Sequence, residues 1–246
     1  MCYHIVVDRD AVKYIALRSL GNFLLLFAIF GVLATFGPAL YYELQYQVIK
    51  ARHITYRVET PQQAATQTAA SANSGQTVAP RTGPGFGDVL SGSTEQVLVP
   101  PDTSFSIVVP KIGATARVFP NVDPNDPQIY MPILLQGVAH AKGTVFPGTP
   151  GTTYLFAHST DNWWDVGRYN AVFYLLKDLK PGDEIIIFFE GRRYDYVVNH
   201  SVIGDASDVS YIINSHTTPQ QLVLQTCWPP GTSWKRIFVV AYPKGE

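Results

Sequence analysis

Cysteine is scarce in this chain of 246 residues, which holds two, Cys2 and Cys227. Charge of one sign is lacking as well. Lysine and arginine number 18, aspartate and glutamate 19, for a formal net charge of −1. The missing basic excess argues against nucleic acid as a partner, and the missing acidic excess against a solvating tail. No internal repeat is visible. From Ser19 to Tyr42 there is no charged residue at all. That last absence decides the broad class.

Leu20 to Leu40 is 21 residues of mostly apolar sequence. A helix of that length rises about 30 Å, the thickness of a bilayer's hydrocarbon core. A cleaved signal peptide is the rival reading. The apolar run is too long for a typical signal core, and no clear A-x-A cleavage site follows it. Met1-Cys2 also lacks the apolar run that a lipoprotein processing site places before its cysteine. We therefore expect an uncleaved anchor. Arg9, Lys13 and Arg18 precede the span, and Lys50 and Arg52 follow it. This slight bias favours a cytoplasmic N-terminus and an external C-terminal domain. Cys2 and Cys227 would then lie on opposite sides and could not pair within one chain. A lone cysteine in an exported domain is a candidate reactive thiol.

What is present supports β-structure. Aromatics make up 13% of the chain, and it has 19 glycines and 18 prolines, a composition that fits many strands and turns. Residues 60–94 are rich in Ala, Thr, Ser, Gln, Gly and Pro, with almost no large apolar residue before Phe86. Such a stretch cannot offset its ordering entropy and reads as a flexible linker. The chain divides into a cytoplasmic N-terminus (1–19), a transmembrane helix (20–40), a stalk (41–59), a linker (60–94) and a folded domain (95–246). Seven strands are expected in that domain: Phe105–Val109, Ala116–Phe119, Thr152–Ala157, Glu184–Phe189, Tyr194–Ile203, Leu222–Cys227 and Arg236–Tyr242. The apolar face of Val166–Leu179 predicts a helix that Pro181-Gly182 stops, and Ser207–Ile213 a second, short one. Short strands with one or two helices point to a closed or nearly closed β-barrel.

Within Leu222–Cys227, alternation puts Leu222, Leu224 and Thr226 on one face, and Val223, Gln225 and Cys227 on the other. Gln225 argues against complete burial of the second face. If Leu222–Cys227 and Arg236–Tyr242 form an antiparallel hairpin, Cys227 and Arg236 close it, roughly 5 Å apart at Cβ. A guanidinium there favours thiolate over thiol and offers donors to an oxyanion. Cys227 is thus either a small buried hydrophobe or a nucleophile with a cation beside it. A thiolate catalyst also needs a proton donor. Among six histidines, His158 ends the apolar run Thr153–Ala157. If that strand runs parallel to Leu222–Cys227, both ends meet at one rim.

These residues resemble the sortase family. Leu224-Gln225-Thr226-Cys227 followed by Arg236 matches the Thr-Leu-x-Thr-Cys … Arg signature, with Val223 in place of the first Thr. Ala157-His158-Ser159 is similar to the catalytic-histidine segment. Val109-Pro110-Lys111-Ile112, Gly137-Val138-Ala139-His140 with Gly143-Thr144, and Leu179-Lys180-Pro181-Gly182-Asp183 supply three further ordered matches. The resemblance spans Phe105 to Tyr242. It implies a mainly β fold, a closed eight-stranded barrel, and a membrane-anchored cysteine transpeptidase, with residues 95–246 as its catalytic domain. By that resemblance, Cys227 attacks the Thr–Gly carbonyl of an LPxTG-like sorting signal to form a thioacyl enzyme. His158 protonates the leaving amine and then activates an incoming one, and Arg236 binds substrate backbone or oxyanion. Thr226, Trp228 and His140 are secondary candidates for substrate contact, His140 with a structural role in the preceding loop as the competing reading. Trp234, Trp163 and Trp164 add to a possible aromatic rim. No metal or other cofactor is implied.

The implied partners are surface proteins bearing a C-terminal sorting signal and an amine acceptor, either cell-wall peptide or a pilin lysine. The implied location is the cell membrane, single-pass, with the catalytic domain extracellular. Two other readings stay open. A thiol protease shares the thioacyl step and ends in water. A membrane-tethered β-domain that only binds or adheres explains the anchor, linker and barrel equally well, but not three chemical groups at strand ends.

Overall fold

The computed structural model of the protein describes residues 9–51, 55–60, 95–159, 173–229 and 232–245. Cys2 and most of the expected linker lie outside them, as do Trp163, Trp164 and the first part of the expected helix Val166–Leu179. The first element is one long helix, α1 (Arg9–Ala51). Its stretch Asp10–Leu33 is long and apolar enough to cross a membrane by length and composition. That stretch begins earlier than the expected span. The helix runs on to Ala51, well into the expected stalk.

Strands β1 (Thr55–Val58) and β2 (Glu95–Leu98) pair in parallel as a small separate sheet. The next eight strands are β3 (Phe105–Val109), β4 (Ala114–Val122), β5 (Val138–Ala141), β6 (Thr152–Phe156), β7 (Glu184–Phe189), β8 (Arg192–Asp205), β9 (Gln221–Trp228) and β10 (Lys235–Pro243). They close into a barrel in the order β10-β8-β7-β3-β4-β5-β6-β9, with β9 against β10. Six of its pairings are antiparallel, while β4 with β5 and β6 with β9 are parallel. Parallel neighbours need a crossover. Helix α2 (Pro127–Leu134) fills the one between β4 and β5, and helix α3 (Ser210–Ile213) lies on the one that leads into β9.

All seven expected strands are present, each within a few residues of its predicted ends. The sequence reading missed β1, β2, β5 and α2. Strand β5 is four residues long, and its two alanines carry little strand propensity. Helix α2 does carry a start signal. Asp126 accepts a hydrogen bond from the Gln128 N–H at 2.9 Å, and Pro127 follows at the first helical position, where its missing N–H costs nothing. Of the expected helix ending at Leu179, the described part is a 3-10 turn, Tyr174–Asp178.

Side-chain alternation builds three apolar clusters, two of which bear on the site. Ile107, Val118, Leu155, Leu222, Leu224 and Val239 fill the barrel interior. Tyr154, Phe156, Val223, Phe238 and Val240 point outward from β6, β9 and β10. That outer face is covered by Tyr130 and Ile133 of α2 and by Tyr211 and Ile212 of α3. Strands buried on both faces need apolar residues at consecutive positions, which is why Leu222-Val223-Leu224 reads as a continuous run. The outer face is thus buried as far as Val223 and opens only at Gln225.

Candidate active site

The hairpin ladder decides where Cys227 lies. In the antiparallel register of β9 and β10, Arg236 is the direct partner of Cys227, and the ladder runs one pair further to Trp228 and Lys235. Directly opposed residues hold their Cβ atoms about 4.5–5.5 Å apart on one face. Strand β6 lies on the other side of β9 in parallel register, with Phe156 opposite Gln225. The pairing continues past the end of β6. The Ala157 N–H donates to the Gln225 carbonyl at 3.2 Å, and the Thr226 hydroxyl donates to the Ala157 carbonyl at 2.8 Å. One more step of this register sets His158 level with Cys227. Ala157 belongs to the interior cluster, so alternation returns His158 to the outer face. Three adjacent strand positions therefore bring His158, Cys227 and Arg236 into one row across the barrel's outer surface.

The burial of the row is graded. His158 is buried, while Cys227 and Arg236 are half-buried. Cys227 carries a thiol and is in no disulfide. The Arg236 guanidinium is held near the hairpin loop, where Nη1 donates to the Ser233 carbonyl at 3.2 Å and the Lys235 carbonyl at 3.0 Å. A fork with five N–H groups keeps others to offer an incoming oxygen. A thiol beside a guanidinium, with an imidazole at the same level, can perform nucleophilic acyl chemistry with proton transfer. Among the described residues, no group of three or more His, Cys, Asp or Glu side chains gathers as a metal site.

The secondary candidates fall in different places. Trp228 is half-buried at the mouth of the hairpin loop, and Trp234 in that loop is 77% exposed. Thr226 lies on the interior side, 2% exposed, with its hydroxyl committed to Ala157. That bond ties β9 to the residue before His158, so Thr226 acts on the row by positioning it. Thr226→Val is expected to lower the stability of the fold by about 1 kcal/mol, the net worth of a neutral hydrogen bond. Thr226→Ser is expected to keep most of it. The midpoints of denaturant unfolding check both.

His140 is paired with Leu155 and so lies on the interior side of the barrel, fully buried. Both ring nitrogens are engaged. The Asn121 N–H donates to Nδ1 at 3.3 Å, so the proton sits on Nε2, within 3.1 Å of the Val145 carbonyl and 3.0 Å of the Thr144 hydroxyl oxygen. The ring also stacks on Phe146, with centroids 4.6 Å apart. This arrangement ties down the turn after β5 and leaves no nitrogen for a substrate.

Burial pushes the His140 imidazole below its ordinary value of 6.5, against the opposing effect of its bond to Val145. The unfolded chain therefore takes up a proton near pH 6.5 that the folded chain refuses. The stability linked to His140 is complete above that pH and is lost as pH falls below it. His140→Gln is expected to flatten the acid side of a plot of Tm against pH between 7.5 and 5.

The sequence reading missed one residue of this face. Tyr154 lies two positions before Phe156 and four before His158. It is 3% exposed, and its hydroxyl donates to Gln225 Oε1 at 3.3 Å. The same alternation that singled out Cys227 places it there.

A family model for the sortase domain matches residues 107–244, more than half of the chain. Sortase D of Bacillus subtilis (strain 168) is 26% identical over 121 residues, which cover 49% of this chain and 52% of that protein. The chain thus spans about half the length of this curated relative. Sortase C-1 from Actinomyces oris is similar at TM-score 0.48 and 21% identity, covering 74% of this chain and 98% of that structure. Sortase A from Corynebacterium diphtheriae gives 0.47 and 23%, covering 58% and 61%. The match of the domain model over residues 107–244 shows that the chain belongs to the sortase family.

Proposed function

We propose that the protein is a membrane-anchored cysteine transpeptidase. What supports this reading is the row itself, a thiol, an imidazole and a guanidinium on three adjacent strands joined by two ladders, β9 with β10 and β6 with β9. Substrate peptide lies across the outer face, with its scissile Thr–Gly carbonyl over Cys227. The Cys227 thiolate attacks the carbonyl carbon, and a C–S bond forms. The developing oxyanion is held by N–H groups of Arg236. As the C–N bond breaks, protonated His158 gives its proton to the leaving amine, and a thioester remains on the enzyme. An incoming amine then attacks the thioester carbon and loses a proton to His158. The C–S bond breaks and the thiolate returns. Dividing one amide exchange into two steps in this way requires no other group.

The donors of the acyl group are surface proteins with an LPxTG-like C-terminal signal. The acceptor is an amine of cell-wall peptide or of a pilin lysine. Helix α1 anchors the chain in the membrane, with the barrel on the extracellular side.

The test is intact mass spectrometry of the full-length protein in detergent, mixed with a pool of LPxTG-like peptides. The expected result is an adduct with the mass of a peptide truncated after Thr, located on the proteolytic fragment containing Cys227. Added amines should discharge it faster than water does. Discharge that ignores amines would favour the protease reading. A thiol that forms no adduct with any peptide would leave a tethered binding domain.

A further inference from the structure

Gln225 is a polar residue in an otherwise apolar place. It shares the outer face with Cys227, two positions earlier in β9, or about 7 Å along the strand. Its cross-strand neighbours on that face are Phe156 of β6 and Phe238 of β10. Each phenylalanine is covered by a helix tyrosine. Tyr130 of α2 meets Phe156 edge-on with centroids 6.1 Å apart, and Tyr211 of α3 meets Phe238 at 5.2 Å. The amide therefore sits between two aromatic pairs, half-buried, on the approach to the thiol.

Its orientation is fixed from below. The Tyr154 hydroxyl donates to Oε1 at 3.3 Å. That hydroxyl keeps its proton, because burial pushes it well above its ordinary value despite the opposing charge of Arg236. With Oε1 held as acceptor, the two N–H groups of Nε2 point away from Tyr154. Among the described residues they have no hydrogen-bond partner. A half-buried donor flanked by aromatic rings discriminates strongly, because an apolar group laid over it leaves the donor unpaired.

We infer that Gln225, oriented by Tyr154, is a specificity-determining residue that selects a substrate side chain bearing a hydrogen-bond acceptor at the position lying over it. The inference rests on the transpeptidase reading and adds a recognition rule to it. The acceptor class is a carboxamide or carboxylate, as opposed to an aliphatic side chain of the same size.

The test is a competition among LPxTG-like peptides, each varied at one position to Gln, Glu, Leu, Met or Lys, on the full-length protein in detergent. Adducts on Cys227 are quantified by mass. At one position, Gln or Glu should outcompete Leu and Met by about ten-fold, the worth of one hydrogen bond left unmade. Gln225→Glu preserves shape but replaces the donors with an acceptor, and should reverse the ranking in favour of Lys. Tyr154→Phe frees the amide to rotate and should shrink the preference several-fold, read as the ratio of Gln-peptide to Leu-peptide adduct on the same variant. Thermal melts establish that each variant is folded. Should Gln225→Glu fail to fold, Tyr154→Phe alone decides. Adducts that form without any preference for acceptor over aliphatic side chains, or a preference that survives both variants, would overturn the inference alone. No adduct with any peptide would overturn the transpeptidase reading and the inference with it.

Discussion

Cys227→Ala is expected to abolish thioacyl formation, a loss beyond about 10⁴-fold, since it removes the proposed nucleophile. His158→Ala is expected to cost about 10²–10⁴-fold, the range of a positioned proton donor. Arg236→Ala is expected to cost about 10²–10³-fold in kcat, as for an oxyanion donor. These three positions are joined by strand pairing alone: Arg236 faces Cys227 across one ladder, and His158 is level with it across the next. Arg236→Lys discriminates between two roles. A point charge that only favours the thiolate would be largely replaced by lysine, and alkylation of Cys227 by iodoacetamide would keep its pH profile. A fork that also holds the oxyanion would not be replaced, because lysine lacks the planar donors. We expect Arg236→Lys to preserve the alkylation profile and still lose most of kcat. Steady-state kinetics and alkylation rates on the same preparations separate the two. Arg236→Ala with unchanged kcat, or Cys227→Ala with undiminished adduct, would sink the assignment of the row.

Much of this row was legible in the sequence because strands carry simple geometry. A two-residue period and a loop between Cys227 and Arg236 are enough to pair them. Placing His158 took more, because it belongs to a strand that pairs with β9 across a long crossover, and no local pattern announces a parallel neighbour. Its apolar run and polar end gave the hint. Thr226 and His140 are secondary candidates for substrate contact by motif position, and for His140 a structural role in the preceding loop is the competing reading. Motif proximity to a site says nothing about which face a side chain takes. Thr226 falls on the interior face by alternation from Cys227, and His140 faces inward because it pairs with Leu155. The two-sided burial of β9 was invisible because it depends on α2 and α3, whose coverage of the outer face is a tertiary fact. The role of Tyr154 is not legible in the sequence, because one more aromatic in a strand has no distinguishing pattern and its partner Gln225 lies on a strand 71 positions away.

The least expected element, β1, should make the largest single-residue contribution to stability outside the barrel's own core. Tyr56→Ala is expected to destabilise the fold by about 2–4 kcal/mol, as for truncation of a large, mostly buried side chain. Tyr56 and Val58 pack on Leu98 of β2 and on Val108, Ile186 and Phe188, an apolar patch on the outer side of β3 and β7. Burial there pushes the Tyr56 hydroxyl up to about 12. Its ring lies against Gly113, whose φ of +63° suits glycine, and an added Cβ there would come within 3.0 Å of the Tyr56 hydroxyl oxygen. Gly113→Ala in the intact chain therefore suffers both a backbone and a steric penalty. In the Tyr56→Ala background only the backbone penalty remains, so its cost should fall by about 1 kcal/mol. Denaturant unfolding of the full-length protein and the three variants measures this coupling. Its meaning is positional. Only three residues separate the end of α1 at Ala51 from Thr55 at the start of β1, whereas 36 residues lie between β1 and β2. If Tyr56 and Gly113 couple, the barrel is held at the end of α1 by a docked strand. If their effects simply add, the contact between Tyr56 and Gly113 contributes nothing to holding the barrel at the end of α1.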